Sequence, residues 1–112
     1  MTEYVPDVGH AIWLSLDPTL GHKQAGRRPF LVLTPRAYNA KTGLVVGAPI
    51  TSKVKGYPFE VALAELTQIS GVVLADQVKS LDWRVRAAAF GEDVPSETLR
   101  RVRTMIATLL QL

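Results

Sequence analysis

The chain has no cysteine, and this absence removes disulfide frameworks, thiolate metal centres and cysteine nucleophiles, in agreement with a reducing compartment. Histidine is nearly missing too. His10 and His22 lie twelve positions apart on different expected elements, so they read as solvent-facing residues rather than a metal pair. No stretch approaches the ~20 apolar residues of a membrane span. The opening Met1-Thr2-Glu3-Tyr4-Val5-Pro6-Asp7 has neither the basic start nor the apolar run of a signal peptide. A cytoplasmic protein with no membrane partner is therefore expected. There is no Walker-type loop and no dinucleotide fingerprint, so neither cofactor nor metal is expected. Internal repeats, low-complexity tracts and linkers are likewise missing.

What remains is 112 residues, enough for one domain with one packed core, expected to span 1–112. An apolar share of 47% against 21% charged residues places the chain among folded proteins rather than disordered ones. A net charge of +3 is a mild bias that suits contact with a polyanion. Extended runs are expected at 9–16, 28–34, 44–51, 57–63 and 72–78. They are separated by the turn-forming stretch 17–26, by a turn or short helix through Asn39 and Lys41, by Lys53-Val54-Lys55-Gly56, and by the connection 65–71. Short strands at this spacing indicate a small curled sheet or barrel. After Asp93-Val94-Pro95-Ser96 the apolar positions Leu99, Val102, Ile106 and Leu109 recur at helical spacing, with Arg100, Arg101 and Arg103 between them. This reads as an amphipathic helix covering the open side of the barrel. Pro95 suits its first turn, and Ser96 or Asp93 its cap. Trp13 and Trp83 are expected in the core.

The chemistry concentrates in Gln24-Ala25-Gly26-Arg27-Arg28-Pro29 and Pro49-Ile50-Thr51-Ser52. Arg28 follows a flexible Ala-Gly pair and precedes Pro29, so a rigid strand can aim its planar donors, which match a phosphate bidentately. Thr51 and Ser52 supply hydroxyls at another strand end. Lys23, Arg27, Lys53, Lys55 and Lys79 form a set of loop and strand-end cations giving a salt-dependent, largely sequence-independent attraction to nucleic acid. Gln24, Asn39, Gln77 and Tyr57 offer base-edge contacts and stacking for single-stranded RNA.

Gln24-Ala25-Gly26 and Arg28-Pro29, with Tyr4-Val5-Pro6-Asp7, Ile12-Trp13, Asp17-Pro18-Thr19, Tyr38-Asn39, Lys41-Thr42-Gly43, Lys55-Gly56-Tyr57-Pro58-Phe59-Glu60-Val61, Leu74-Ala75-Asp76-Gln77-Val78-Lys79-Ser80 and Trp83-Arg84, resemble the MazF/PemK-like family of toxin endoribonucleases. The resemblance implies a mainly β fold with α, a small SH3-like barrel carrying a short helix and the C-terminal helix. It also implies a homodimer that cuts single-stranded RNA at a short sequence without metal, leaving 2′,3′-cyclic phosphate and 5′-hydroxyl ends. Arg28 falls on the family's catalytic arginine and Thr51 on its catalytic threonine. Gln77 falls near the RNA groove, and the full set of substrate contacts expected here is Thr19, Lys23, Gln24, Arg27, Asn39, Ser52, Lys53, Lys55, Gln77 and Lys79. A cognate antitoxin with an acidic, disordered tail would occupy the same groove. Two departures make the site more basic: Lys23 stands where close relatives are acidic, and Arg27 where they have histidine.

Arginine stays protonated near neutrality, so Arg28 is expected to stabilise the charge on phosphorus rather than act as base. The base is left open, with His22 a candidate because its ordinary pKa is about 6.5. Two other classes share the fold, a non-catalytic topoisomerase poison and an RNA- or peptide-binding module. The poison would use an apolar terminus with a tryptophan, which Ala107-Thr108-Leu109-Leu110-Gln111-Leu112 lacks. Leu109, Leu110 and Leu112 would leave apolar surface on a monomer, which again indicates a dimer.

Overall fold

The computed structural model describes residues 3–15, 26–63, 66 and 68–112. Seven strands are present among them: β1 (His10–Ser15), β2 (Arg27–Val32), β3 (Leu44–Thr51), β4 (Glu60–Ala62), β5 (Val72–Leu74), β6 (Lys79–Asp82) and β7 (Ala89–Asp93). Two helices join them, α1 (Arg36–Thr42) between β2 and β3 and α2 (Ser96–Leu110) at the C-terminus. All strand pairs are antiparallel, in the order β4-β5-β3-β2-β1-β7, with β6 also on β3. Among the described residues β4 and β7 do not pair, so the sheet curls in barrel fashion without closing.

The central strands are apolar on both faces, which is why their sequences read as runs rather than as alternation. Ala11, Leu31, Ala48 and Ile50 point into one cluster with Val61, Val73 and Val102. Ile12, Leu14, Phe30, Val32 and Val45 point into a second with Trp83. Each fully buried Leu, Ile or Phe side chain contributes about 1.5–3 kcal/mol. α2 lies beside β4 and the turn after β5, with Val102 buried and Leu99, Met105 and Ile106 packed on the first cluster. Leu109 departs from the expected stripe: it is exposed together with Leu110 and Leu112 and does not pack on the first cluster. Pro95 is the N-cap rather than the first helical residue, and neither Ser96 nor Asp93 caps through its side chain.

Two of the expected runs shorten. The run 57–63 is a strand only over Glu60–Ala62. The run 72–78 stops at Leu74, and Ala75–Gln77 makes a 3-10 turn. The cause is visible in β3, one edge of which pairs both β5 and β6. Ile50 faces Val73 and Leu44 faces Asp82, so six steps along β3 are matched by nine on the facing segment, and the turn absorbs the excess of three. Strands β6 and β7 were not expected from sequence, since Lys79-Ser80-Leu81-Asp82 and Ala89-Phe90-Gly91-Glu92-Asp93 carry charge and glycine. Their partners β3 and β1 impose the extended form.

Candidate functional site

The register of β2 on β3 creates the site. Phe30 faces Pro49 and Val32 faces Gly47, and the same antiparallel register continued by two residues brings Arg28 across from Thr51. Arg28, Pro29, Thr51, Ser52 and Lys53 line a cleft of about 430 Å³ with Trp13, Arg27 and residues 68–70. Trp13, expected in the core, is half-buried and shows one side to this cleft. Arg28 is exposed, and its Nη1 donates to the Arg27 carbonyl at 3.1 Å. Arg27 is half-buried, and its Nη2 donates to the Trp13 and Ala87 carbonyls at 3.2 and 2.8 Å, which ties the β2 rim to the turn before β7. Gly71 stands behind Thr51 with φ of +111°, and a Cβ there would overlap the Thr51 carbonyl oxygen. Only glycine fits both the torsion and the close approach.

A second cleft of about 440 Å³ shares Thr51 and Lys53 as its rim and continues along Lys55, Tyr57, Glu60, Leu74 and Gln77. A third, about 170 Å³, shares Arg28 and Pro29 with the first and adds Lys79 and Arg86. The three adjoin through these shared residues and make one track lined by cations and hydroxyls. Internal carboxylates set the loops on both sides. Glu92 accepts the Gln68 and Ile69 N–H groups at 2.6 and 2.7 Å, and Glu60 accepts those of Lys55 and Gly56 at 3.0 and 3.1 Å. Tyr57 donates its hydroxyl to Asp76 at 2.6 Å, and this bond holds its phenol above the ordinary tyrosine pKa. The other Asp76 oxygen is buried without a hydrogen-bond partner among the described residues.

The sequence-predicted residues therefore divide. Arg28, Arg27, Thr51, Ser52 and Lys53 meet on the first cleft, Lys55 and Gln77 on the second, and Lys79 joins Arg28 on the third. Thr19, Lys23, Gln24 and His22 lie outside the described residues. Asn39 does not belong to the site. It is fully buried in α1, donating to the Pro6 and Thr34 carbonyls at 2.8 and 2.9 Å and accepting from the Thr34 hydroxyl at 2.7 Å. Its backbone carbonyl receives the Trp83 indole N–H at 2.9 Å. An amide with every bond satisfied by the protein has none left for a base edge. Trp13, Gln68, Ser70, Glu60 and Glu92 were missed, because nothing local marks a glutamate whose partners are backbone amides of another loop. Among the described residues no three His, Asp or Glu side chains gather to hold a metal ion, and no helix is long and apolar enough to cross a membrane.

A curled, open antiparallel sheet with a cationic, hydroxyl-bearing track across its strand ends defines a small SH3-like β protein built to hold a polyanion. The sequence pattern of the family described as PemK-like, MazF-like toxin of type II toxin-antitoxin system matches residues 7–110, and the chain belongs to that family. Endoribonuclease toxin MazF of Escherichia coli is 47% identical over 110 residues, 98% of each chain. Endoribonuclease PemK of Escherichia coli is 39% identical over 104 residues, covering 88% of this chain and 78% of that protein. A chain of the MazE-MazF complex (Form-II) from Deinococcus radiodurans is similar in structure, with a TM-score of 0.88 and 48% identity over 98% of this chain and 99% of that one. MazF (Form-I) from the same organism has a TM-score of 0.87 and 52% identity, covering 98% of this chain and all of that one.

Proposed function

We propose that this chain is an endoribonuclease toxin which cuts single-stranded RNA at a short sequence along the track described above. In this reading it works as a cytoplasmic homodimer, without metal, and is restrained by a cognate antitoxin whose acidic, disordered tail covers the track. Support comes from the named relatives and from one structural observation, the β2–β3 register that directs Arg28 and Thr51 to one cleft.

The chemistry follows from those two groups. The ribose 2′-oxygen attacks the adjacent phosphorus, the bond from phosphorus to the 5′-oxygen breaks, and the products are a 2′,3′-cyclic phosphate and a 5′-hydroxyl. One proton leaves the 2′-hydroxyl and one arrives on the departing oxygen. Arg28 stabilises the extra negative charge on the phosphorane and donates a hydrogen bond to the leaving oxygen. Thr51 Oγ1 accepts the Lys53 N–H at 3.1 Å, a bond to its lone pair that keeps the O–H as donor to a phosphate oxygen. Lys53, Lys55 and Lys79 hold the flanking phosphates.

The deciding experiment incubates the purified chain with a long single-stranded RNA in EDTA and maps cut sites and end chemistry beside Arg28→Ala. Cutting at one short motif with cyclic-phosphate ends, lost in the variant, is the expected result. RNA binding without any cutting would demote the chain to a binding module.

A further inference from the structure

The loop between β3 and β4 carries both lysines of the second cleft, and residues 52–58 are all exposed. Ordering such a segment costs backbone entropy that no apolar burial offsets, so specific bonds must hold it. Three are present. Lys53 N–H reaches Thr51 Oγ1, Tyr57 reaches Asp76, and the Glu60 carboxylate takes the consecutive N–H groups of Lys55 and Gly56, one on each oxygen. Gly56 has φ of +77°, the left-handed torsion at which glycine carries no penalty, and Glu60 donates its own N–H to the Tyr57 carbonyl at 3.1 Å. Glu60 is anchored in turn by β4, where it faces Leu74 of β5. The carboxylate is thus the link between the rigid sheet and the middle of the loop. Among the described residues neither Lys53 nor Lys55 is in an ion pair.

We propose that Glu60 is a positioning residue for RNA: by clamping the Lys55 and Gly56 amides it holds the loop so that Lys53 and Lys55 face the groove together. The proposal rests on the endoribonuclease reading above. A charged acceptor bridging two consecutive N–H groups orients two peptide planes at once, and a neutral amide in its place keeps one acceptor and no charge. Loosening the loop spreads the two ammonium groups over many positions and lowers their contribution to RNA binding. The reacting groups change less, because Thr51 is held by β3.

The test compares the full chain with Glu60→Gln and Glu60→Ala, using an RNA oligonucleotide that carries the mapped cut site, and follows amide hydrogen exchange in parallel. Expected are a KM raised about tenfold in Glu60→Gln and further in Glu60→Ala, with kcat within about threefold, and exchange at Lys55 and Gly56 faster by about tenfold or more. Arg28→Ala should do the reverse, losing kcat with loop exchange unchanged. KM unchanged in both Glu60 variants overturns the proposal, whether or not exchange has quickened. Should the parent cut no RNA, the endoribonuclease reading fails on its own. The clamp is then judged by binding of the same oligonucleotide: quicker exchange with weaker binding upholds it, and unchanged binding, or none to the parent, overturns it. If the Glu60 variants do not fold, Tyr57→Phe removes a second tie of the same loop, and a smaller KM rise in the same direction is the required result.

Discussion

The two ends of β1 use similar residues to opposite purposes. At its start, Asp7 N–H donates to His10 Nδ1 at 3.2 Å, the Tyr4 hydroxyl is hydrogen-bonded to the same nitrogen at 2.7 Å, and the His10 ring stands edge-on to Phe90. Asp7 accepts the N–H groups of Val8 and Arg36, which hold its carboxyl below the usual range, and Asn39 closes the corner. Across from the other end of β1 are Arg27 and Arg28, which line the cleft while their guanidinium groups donate to the backbone carbonyls of its rim. A polar group whose bonds are completed inside the fold serves stability. One held at the rim of a cleft by backbone bonds is positioned to meet a ligand. Residue type alone does not separate the two.

The largest effect that separates these ends is expected from Arg28→Ala. Losing one preorganised donor costs ~100-fold to 1,000-fold in rate. The melting temperature should stay near that of the parent, because the guanidinium lies at the surface, and a matching fall in stability would refute its assignment to the groove. Asn39→Ala is its mirror image. Three internal bonds are lost and buried carbonyls are left unpaired, so denaturant titration should show a loss of about 3 kcal/mol. Cleavage per folded molecule should hold, and a selective loss of activity would return Asn39 to the site.

Thr51→Val preserves shape and removes the hydroxyl. A bond to a charged phosphate is worth about 1.5–3 kcal/mol, so single-turnover cleavage should slow by about 10-fold to 100-fold. An unchanged rate would leave Thr51 as a strand end that only flanks the cleft.

The smallest effect is a slope with pH. Burial lowers the pKa of His10, with Arg36 adding to the effect and Asp93 and Asp7 opposing it. The ring also faces the Tyr4 hydroxyl, whose own pKa burial raises. With the folded pKa below the unfolded one, the unfolded chain binds more protons between them. His10 therefore contributes fully above the unfolded value of about 6.5, and its contribution is lost as pH falls through that value towards the folded pKa. Thermal melts across this window should show stability falling with pH in the parent and a flatter profile in His10→Gln. Asp7 acts in the same direction at lower pH, through the carboxylate range. Equal slopes in both proteins would remove His10 as the source.

Much of the frame was legible from residue patterns. The run 44–51 is β3 to the residue, Pro35 lies beyond the end of β2 and directly before α1, and Leu99, Val102 and Ile106 are the inward stripe of α2. These are signals carried within a few neighbours, where periodicity and proline act. β6 and β7 were not legible, since their residues are extended through pairing with β3 and β1 rather than by preference. The candidate site divides in the same way. Cations and hydroxyls could be nominated from sequence, but Asn39 was nominated with them, and Glu60 and Glu92 were passed over.

By itself, then, the sequence determined the apolar runs that make this a β protein, the C-terminal helix, the mild positive charge, and the family to which the chain belongs. Tertiary structure alone decided that these two residues share a cleft, that Asn39 is buried instead of facing RNA, and that two glutamates set the groove's loops. The reason lies in range. Propensity and periodicity act between near neighbours, whereas strand register joins residues far apart in the chain, such as Phe30 with Pro49, and only that register settles which polar groups find partners inside the fold.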